Sequence, residues 1–368
     1  MTHTQAESSL ADLARLARGS VDLIVALQDP SGAYPASPTF SAYRGYCWFR
    51  DGAFIADGVS SMGRVESATA FFDWCARILV AHSTKIEVVV AAARAGTPVA
   101  DSEMMATRFT FNGLDGEDDW WDFQLDGYGT WLWAVVAHAE RHSLSLDPWR
   151  RAIELSIDYL ESSWQRPCFD WWEESADQVH GSTLGCIAGG LIAVSRSGTF
   201  RDVRPTIDAI RVLMLERGVH DGHLAKWLGS TEVDASLAST LYPLEVFPAD
   251  SPLGIATIAA IEAQLTFERG VHRYRADTFF GGGQWPLLSC MLGLAHARAG
   301  DTERALELLR WAAATVTVDG HFPEQVGLHL LDASMTQEWV DRWGPVATPL
   351  LWSHAMFARL AVELGVAK

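Results

Sequence analysis

Apolar residues recur every three to four positions along most of this chain, and this periodicity constrains its fold more than any other feature. Over 8–27, for example, leucine, isoleucine and valine return at a spacing close to 3.6 residues, which is typical of the buried face of a helix. The same pattern is found at 51–62, 64–81, 126–142, 147–163, 182–196, 203–216, 232–241, 251–265, 282–299, 302–316 and 346–364. The sequence therefore predicts about twelve helices.

Strand patterns are weak by comparison. The run 85–91 is rich in β-branched residues but could equally begin a helix. No Pro/Ser-rich linker divides the chain, so we predict one all-α domain over residues 1–368. Six helix pairs, each with one inner and one outer member, would close into an (α/α)6 barrel. The helix count fits such a barrel but does not by itself prove closure.

Charge and hydropathy exclude several classes of partner. The formal net charge is −18, which repels phosphate backbones and anionic lipid, so we expect no nucleic-acid or membrane partner. No stretch approaches the roughly twenty apolar residues that a membrane-spanning helix needs. The start of the sequence lacks a positive segment followed by an apolar one, so no secretory signal is predicted.

Cysteine and tryptophan usage adds two expectations. The five cysteines are odd in number, scattered and without Cys-x-x-Cys spacing, which favours a reducing, cytoplasmic location and argues against structural zinc. Indole faces stack on the apolar faces of sugar rings. A chain with sixteen tryptophans and an acidic net charge is therefore a candidate for carbohydrate binding.

The segment Asp170-Trp171-Trp172-Glu173-Glu174 places two adjacent carboxylates behind two tryptophans. Desolvation by indole and the neighbouring like charge both favour the protonated form of a carboxylic acid. Such an environment produces a general acid for cleaving a glycosidic bond. The alternative is a helix start, with acids at the N-terminal dipole and tryptophan in the core.

Two earlier segments combine polar groups with aromatic residues. In 46–51, the Arg50–Asp51 pair offers a fork of donors beside an acceptor, which suits the hydroxyls of a sugar; a capping surface ion pair is the alternative. In 120–127, Gln124 and Asp126 also suit hydroxyl recognition, unless Asp126 merely begins a helix.

A competing motif overlaps the second of these segments. Asp118, Asp119 and Asp122 match the Asp-Asp-x-x-Asp magnesium-diphosphate motif of helical terpene synthases. Neither a second magnesium motif nor a basic cluster for diphosphate accompanies it, which argues against a terpenoid function and against a metal.

Two later segments complete the set. In 272–285, Arg273 and Asp277 precede three glycines, and a phosphate loop is disfavoured because no Gly-Lys-Ser/Thr follows. In 322–326, Glu324 follows a proline and could be a solvated surface group. It is instead a candidate for the second essential carboxylate, far in sequence from the first.

The five segments follow the family's order along the chain: 46–51, 120–127, 170–174, 272–285, and 322–326 with 349–355. Together they resemble glycoside hydrolase family 15, the glucoamylase-like enzymes, over about residues 42–360. The resemblance implies an (α/α)6 barrel and inverting hydrolysis at the non-reducing end of α-glucosides, with β-glucose released and no cofactor. By motif, Glu173 matches the general acid and Glu324 the general base. The candidate substrate-binding residues are Trp48, Arg50, Asp51, Trp120, Trp172, Glu174, Arg273, Asp277 and Trp352.

The resemblance has two departures and leaves the substrate open. Arg44 stands where fungal members have a tyrosine that helps to place the water, and His354 replaces a tyrosine after Trp-Ser. We expect a small α-glucoside substrate, with isomaltose first, maltose-type α-1,4 substrates second and trehalose third. The alternative of a different class is a sugar-binding protein of the same fold that has lost turnover.

Overall fold

The computed structural model describes residues 9–116, 120 and 123–368. These residues form fourteen α-helices, several short 3₁₀ turns and three two-stranded antiparallel ladders. The helices are α1 (Leu10–Leu27), α2 (Phe49–Ser61), α3 (Val65–Ala81), α4 (Ser83–Arg94), α5 (Asp126–His142), α6 (Arg150–Ser163), α7 (Gly181–Ser197), α8 (Arg204–Arg217), α9 (Ala238–Leu241), α10 (Pro252–Leu265), α11 (Pro286–Ala299), α12 (Thr302–Ala314), α13 (Thr336–Trp343) and α14 (Leu351–Glu363). The ladders pair β1 (Tyr46–Trp48) with β2 (Arg108–Thr110), β3 (Val219–His220) with β4 (His223–Leu224), and β5 (Thr266–Phe267) with β6 (Gly270–Val271).

Twelve of these helices form a closed barrel. The inner ring runs α2, α5, α7, α9, α11 and α14, each packing on the next, and α14 closes the ring against α2. The outer helices α1, α3, α6, α8, α10 and α12 alternate with the inner ones along the chain. The predicted (α/α)6 barrel is therefore confirmed, and its twelve helices correspond to the twelve predicted stretches.

The two layers differ in composition because they differ in burial. Almost every residue of inner helix α7 is buried, whereas outer helix α8 buries mainly Ile207, Ile210 and Met214, as an amphipathic surface helix does. Small residues allow the inner helices to touch. A Cβ on Gly129 would lie 2.4 Å from the Cys186 carbonyl oxygen, so a side chain there would force α5 and α7 apart.

Two helices lie outside the twelve. The ambiguous run 85–91 belongs to α4, which packs on α6. Helix α13 lies within 320–345, between the predicted stretches 302–316 and 346–364, where periodicity predicts no helix. Among the described residues, no helix is long and apolar enough to cross a membrane.

The barrel gathers the candidate motifs at one end. Arg50 and Asp51 lie in the first turn of α2, Asp126 begins α5, and Trp352 lies in the first turn of α14. Because the inner helices run in the same direction, their N-termini meet at one end of the barrel. The loops that precede them therefore surround a common space, into which the positive ends of the helix dipoles point.

Candidate active site

A cavity of about 220 Å³ opens at the N-terminal end of the inner ring. Both candidate catalytic carboxyls line it. The predicted binding residues that also line it are Trp48, Arg50, Asp51, Trp120, Trp172, Glu174, Arg273 and Trp352. Closure of the barrel thus brings together side chains that are up to about 300 positions apart in the sequence.

Glu173 is presented to this cavity by a tight turn, not by a helix start. The Asp170 carbonyl accepts from the Glu173 N–H at 3.0 Å, and Asp170 Oδ1 accepts from the N–H groups of Trp172 and Glu174, both at 2.9 Å. Glu173 has a φ of +64°, a left-handed conformation that costs a residue with a side chain about 1–3 kcal/mol. The turn is held in this conformation by its own hydrogen bonds.

The environment of the Glu173 carboxyl favours its protonated form. Burial raises its pKa to about 7. The opposing influences are weaker: the Arg50 charge and a hydrogen bond from Trp48 Nε1 to Glu173 Oε1 at 2.7 Å. The predicted effect of the aromatic surroundings is present, but the neighbouring charge that assists it is Asp51.

Glu324 is 2% exposed and is fixed through the backbone on both sides. Its N–H donates to the Ala347 carbonyl at 2.9 Å, and the preceding Pro323 carbonyl accepts from Ser353 Oγ at 2.9 Å. Tyr43 donates its hydroxyl to Glu324 Oε1 at 2.9 Å. Oε2 accepts no hydrogen bond from the described residues.

The pKa of the Glu324 carboxyl is also raised, to about 8, chiefly by burial. The hydrogen bond from Tyr43 and the charge of Arg273 act in the opposite direction and stabilise the carboxylate. Two aromatic residues connect the two carboxyls. Tyr43 is hydrogen-bonded to Glu324 and Trp48 to Glu173, and the two rings contact each other edge-on with 5.4 Å between their centres.

The contacts of Tyr43 correct one of the expected departures. Arg44 lies outside the cavity lining, where it donates to the Thr39 carbonyl at 3.4 Å. The tyrosine beside the candidate base is therefore present, one position earlier than expected. Sequence reasoning missed Tyr43 because the loop around it has no period that fixes which side chain points inward.

The other departure, at His354, lies behind the site. Its ring is fully buried, Nε2 accepts from the Phe322 N–H at 2.9 Å, and Nδ1 is 2.9 Å from Ser20 Oγ. Burial lowers its pKa to about 3, so the ring is neutral. Because Nε2 accepts a hydrogen bond, the ring proton lies on Nδ1, which donates to Ser20 Oγ. His354 supports the backbone two residues before Glu324 and does not contact the cavity.

Arg50 and Asp51 occupy the floor of the cavity. Arg50 Nη2 lies 3.3 Å from Asp51 Oδ2, while Nη1 contacts Gln124 Oε1 at 2.6 Å and Asp126 Oδ2 at 3.0 Å. Gln124 and Asp126 are each 1% exposed. The expectation that they recognise hydroxyls is corrected, because they hold Arg50 from behind. Burial raises the pKa of Asp51 to about 6.

Arg273 forms a second cationic position on the wall. It is 3% exposed, its Nε donates to Asp277 Oδ2 at 2.8 Å, and its Nη2 is 3.3 Å from Glu174 Oε1. Its guanidinium also stacks over Trp172, 5.0 Å from the ring centre. Asp277 is absent from the cavity lining. This corrects the expectation that Asp277 faces the sugar, since Asp277 instead holds the Arg273 guanidinium, which lines the cavity.

Helix α13 supplies a part of the mouth that sequence reasoning missed. Trp339, Arg342 and Trp343 line the cavity, and Trp343 meets Trp120 at 6.2 Å between ring centres. Two tryptophans four positions apart would have indicated a helix with one aromatic face. The segment is short and lies among polar loop residues, which obscured that periodicity.

Among the residues that the structure describes, no cluster of three or more histidine, cysteine, aspartate or glutamate side chains could hold a metal ion. The Asp-Asp-x-x-Asp motif is not covered by this statement, because Asp118, Asp119 and Asp122 lie outside the described residues.

The fold and the site define a class: a helical barrel that encloses two buried carboxyls among aromatic side chains. The sequence model of glycosyl hydrolases family 15 matches residues 13–362, and the chain belongs to that family. It is 51% identical to the isomaltose glucohydrolase of Kribbella flavida, over 97% of this chain and 94% of that protein.

Solved structures agree with this assignment. A glycosidase variant in complex with glucose is 50% identical, with a TM-score of 0.95 and 98% of each chain covered. The glucoamylase of Saccharomycopsis fibuligera is 14% identical, with a TM-score of 0.73, 100% of this chain and 98% of that chain covered. This second likeness concerns the fold alone.

Proposed function

We propose that this chain is an inverting, exo-acting α-glucoside hydrolase that releases β-glucose from the non-reducing end of short substrates, with isomaltose as its preferred substrate. The observation that carries the proposal is that two buried carboxyls, Glu173 and Glu324, line one cavity at the N-terminal end of the inner ring. In the exo mode of action, the terminal glucose enters first and reaches the floor of the cavity, where Arg50 and Asp51 lie.

In this proposal Glu173 is the general acid. It donates its proton to the glycosidic oxygen as the bond from that oxygen to the anomeric carbon breaks. Glu324 is the general base. It takes a proton, through Oε2, from a water that attacks the anomeric carbon from the opposite face, so an α-glucoside yields β-glucose.

The productive form needs Glu173 protonated and Glu324 ionised. Burial raises the pKa of both groups, to about 7 and about 8. A hydrogen bond to a charged group favours the charged form, so a water that donates to Glu324 Oε2 stabilises its carboxylate. The glycosidic oxygen is a hydrogen-bond acceptor and therefore favours the protonated form of Glu173. Substrate and water together thus favour protonated Glu173 with ionised Glu324.

The remaining residues bind the two sugar rings. Arg50 and Asp51 hold hydroxyls of the terminal glucose at the cavity floor, and Arg273 adds donors from the wall. Trp48, Trp120 and Trp352 supply apolar faces for stacking. Trp172 and Glu174 lie beside the acid, where the leaving sugar would be held. Asp277 contributes by fixing Arg273.

The preference for isomaltose and a cytoplasmic location are further parts of the proposal. The relative with 51% identity is an isomaltose glucohydrolase, and all five cysteines of this chain are buried and free, as is usual in a reducing compartment. Retention of both carboxyls disfavours the alternative of a sugar-binding protein without turnover.

A panel of α-linked glucose disaccharides tests the proposal. We expect glucose release in the order isomaltose, maltose, trehalose, with β-glucose as the first product detected by NMR before mutarotation. In a crystal structure the two carboxyls should lie about 6.5–9.5 Å apart, leaving room for the water. α-Glucose as first product with a separation of about 5 Å would indicate a retaining mechanism. Binding of isomaltose without release of glucose would favour the non-catalytic alternative.

A further inference from the structure

A buried lysine lies directly behind the turn that presents Glu173. Lys226 is 3% exposed and follows β4. Its backbone is fixed at the start of α7, because its carbonyl accepts from the Gly181 N–H at 2.9 Å and its N–H donates to the Glu232 carbonyl at 2.7 Å. It does not line the active-site cavity.

The ammonium group of Lys226 has three neighbours. It lies 3.6 Å from Asp170 Oδ2, 3.3 Å from Asp234 Oδ2, and 3.1 Å from the centre of the Tyr274 ring. Burying an ammonium is unfavourable unless opposite charge compensates it. Here two buried carboxylates share one cation, and the aromatic face supplies a further attraction.

Each neighbour of Lys226 holds a part of the turn 170–174, here called the acid turn, which presents Glu173. Asp170 Oδ1 accepts from two backbone N–H groups of the turn, and its Oδ2 accepts no hydrogen bond from the described residues, so the ammonium is its counter-charge. Asp234 Oδ2 accepts from Trp172 Nε1 at 2.9 Å. The Tyr274 hydroxyl donates to Glu174 Oε2. Three separate contacts of one charge therefore lead to the residues on either side of Glu173.

We propose that Lys226 is a positioning residue for proton donation: its charge orients Asp170, Asp234 and Tyr274, and these fix the turn that aims Glu173 at the glycosidic oxygen. The proposal rests on the proposed function. Misplacement by about 1 Å can cost a factor of about 100 in rate. Loss of Lys226 should therefore impair the step that needs the proton more than the binding of glucose.

The test compares two substrates that differ in their need for an acid. Isomaltose loses a sugar alkoxide, which must be protonated, whereas α-D-glucosyl fluoride loses fluoride, which leaves with little assistance. Lys226→Met should lower kcat on isomaltose at least about tenfold more than kcat on the fluoride. The KM for the fluoride should change little, and Lys226→Arg should recover part of the loss.

Two further variants guard against a general loss of folding. Lys226→Met combined with Asp234→Asn restores the native net charge of the group formed by Lys226, Asp170 and Asp234. The double variant should therefore fold even if the single variant does not. It should still show the altered substrate ratio, because Asp170 still lacks its counter-charge. Arg359→Met removes a buried cation remote from the cavity, beside Asp57, and should lower thermal stability while leaving the ratio unchanged.

The possible outcomes separate the two proposals. A native ratio in the folded Lys226 variants, or an equal change in Arg359→Met, would show that Lys226 serves stability alone. If the native chain hydrolyses neither substrate, the proposed function fails and this inference fails with it. If the native chain hydrolyses both and only the Lys226 variants lose the isomaltose reaction, both proposals are supported.

Discussion

Helix α2 carries two buried carboxylates in opposite electrostatic situations. Asp51 lies in its first turn, at the floor of the active-site cavity, and Asp57 lies six positions later, about 9 Å along the helix axis. Burial raises the pKa of Asp51 to about 6. Burial also acts to raise the pKa of Asp57, but Arg141 and Arg359 outweigh it and hold that pKa below its ordinary value.

The difference lies in how many cations are available. In the far cluster, which comprises Asp57, Arg141, Arg359, Tyr242 and Glu363, Asp57 receives two guanidinium groups, at 2.6 and 3.0 Å. In the cavity, three carboxyls titrate with raised pKa values of about 6, 7 and 8.

The cavity carboxyls are under-compensated because the nearby arginines are already engaged. Arg50 is held by Asp126 and Arg273 by Asp277. Full pairing stabilises the barrel, whereas incomplete pairing leaves protons that can move near neutral pH. Strongly perturbed carboxyls in a cleft are typical of functional sites.

The largest expected effect concerns Glu173, the proposed acid among the cavity carboxyls. Glu173→Gln should lower kcat on isomaltose about a hundred- to ten-thousandfold, the usual contribution of general acid catalysis. Its melting temperature should not fall, because the variant removes an under-compensated carboxyl. Steady-state kinetics and calorimetry measure both quantities, and near-native turnover on the disaccharide would remove Glu173 from the role of acid.

The far cluster should respond in the opposite way. Asp57→Asn leaves Arg141 and Arg359 without their shared counter-charge, and breaking a buried pair costs about 3–5 kcal/mol. We expect a lower denaturation midpoint in urea with unchanged kcat for the folded fraction. A variant that keeps its stability but loses turnover would place Asp57 with the functional carboxyls.

The pH dependence of stability sharpens the contrast. As pH rises from 4.5 to about 8, Glu324 ionises in the unfolded chain but keeps its proton in the folded one. The folded state then binds more protons, so this group makes stability fall across that window. Glu324→Gln removes the effect, and one unit of pKa is worth about 1.4 kcal/mol.

The melting temperature of Glu324→Gln relative to the native chain should therefore increase between pH 5 and pH 8. Asp57→Asn is the matched control. The pKa of Asp57 is lowered, so its stabilisation is complete above 3.8 and is lost only as pH falls further. The melting temperature of Asp57→Asn should lie below that of the native chain by a constant amount over the same pH range. A parallel pH trend in both variants would contradict the raised pKa of Glu324.

The smallest expected effect concerns Asp51. Asp51→Asn keeps the shape of the side chain but replaces one acceptor by a donor toward the terminal glucose. The activation free energy that corresponds to kcat/KM should therefore rise by about 1–3 kcal/mol. Thermal stability near neutral pH should change little. Arg50→Ala is a less selective probe, since it also leaves Asp126 without its cation. A stability loss in Asp51→Asn as large as in Asp57→Asn would remove the distinction between the two clusters.

The sequence by itself determined the helices of the barrel. Periodicity near 3.6 is a local property, readable from neighbouring residues, and all twelve predicted stretches became barrel helices. The motif at 170–174 likewise singled out Glu173 as the candidate acid, although the indole and the charge that act on its carboxyl, Trp48 and Asp51, come from elsewhere in the chain.

Only the tertiary structure decided which polar side chains reach the cavity. Tyr43 contacts Glu324 across 281 positions, Asp277 turned out to lie behind Arg273, and Lys226 reaches Asp170 from the loop that follows β4. These contacts depend on barrel closure and on loops that have no repeating period. The energetic reason is that a charge buried by tertiary packing must find its partner in space, wherever the chain happens to supply it.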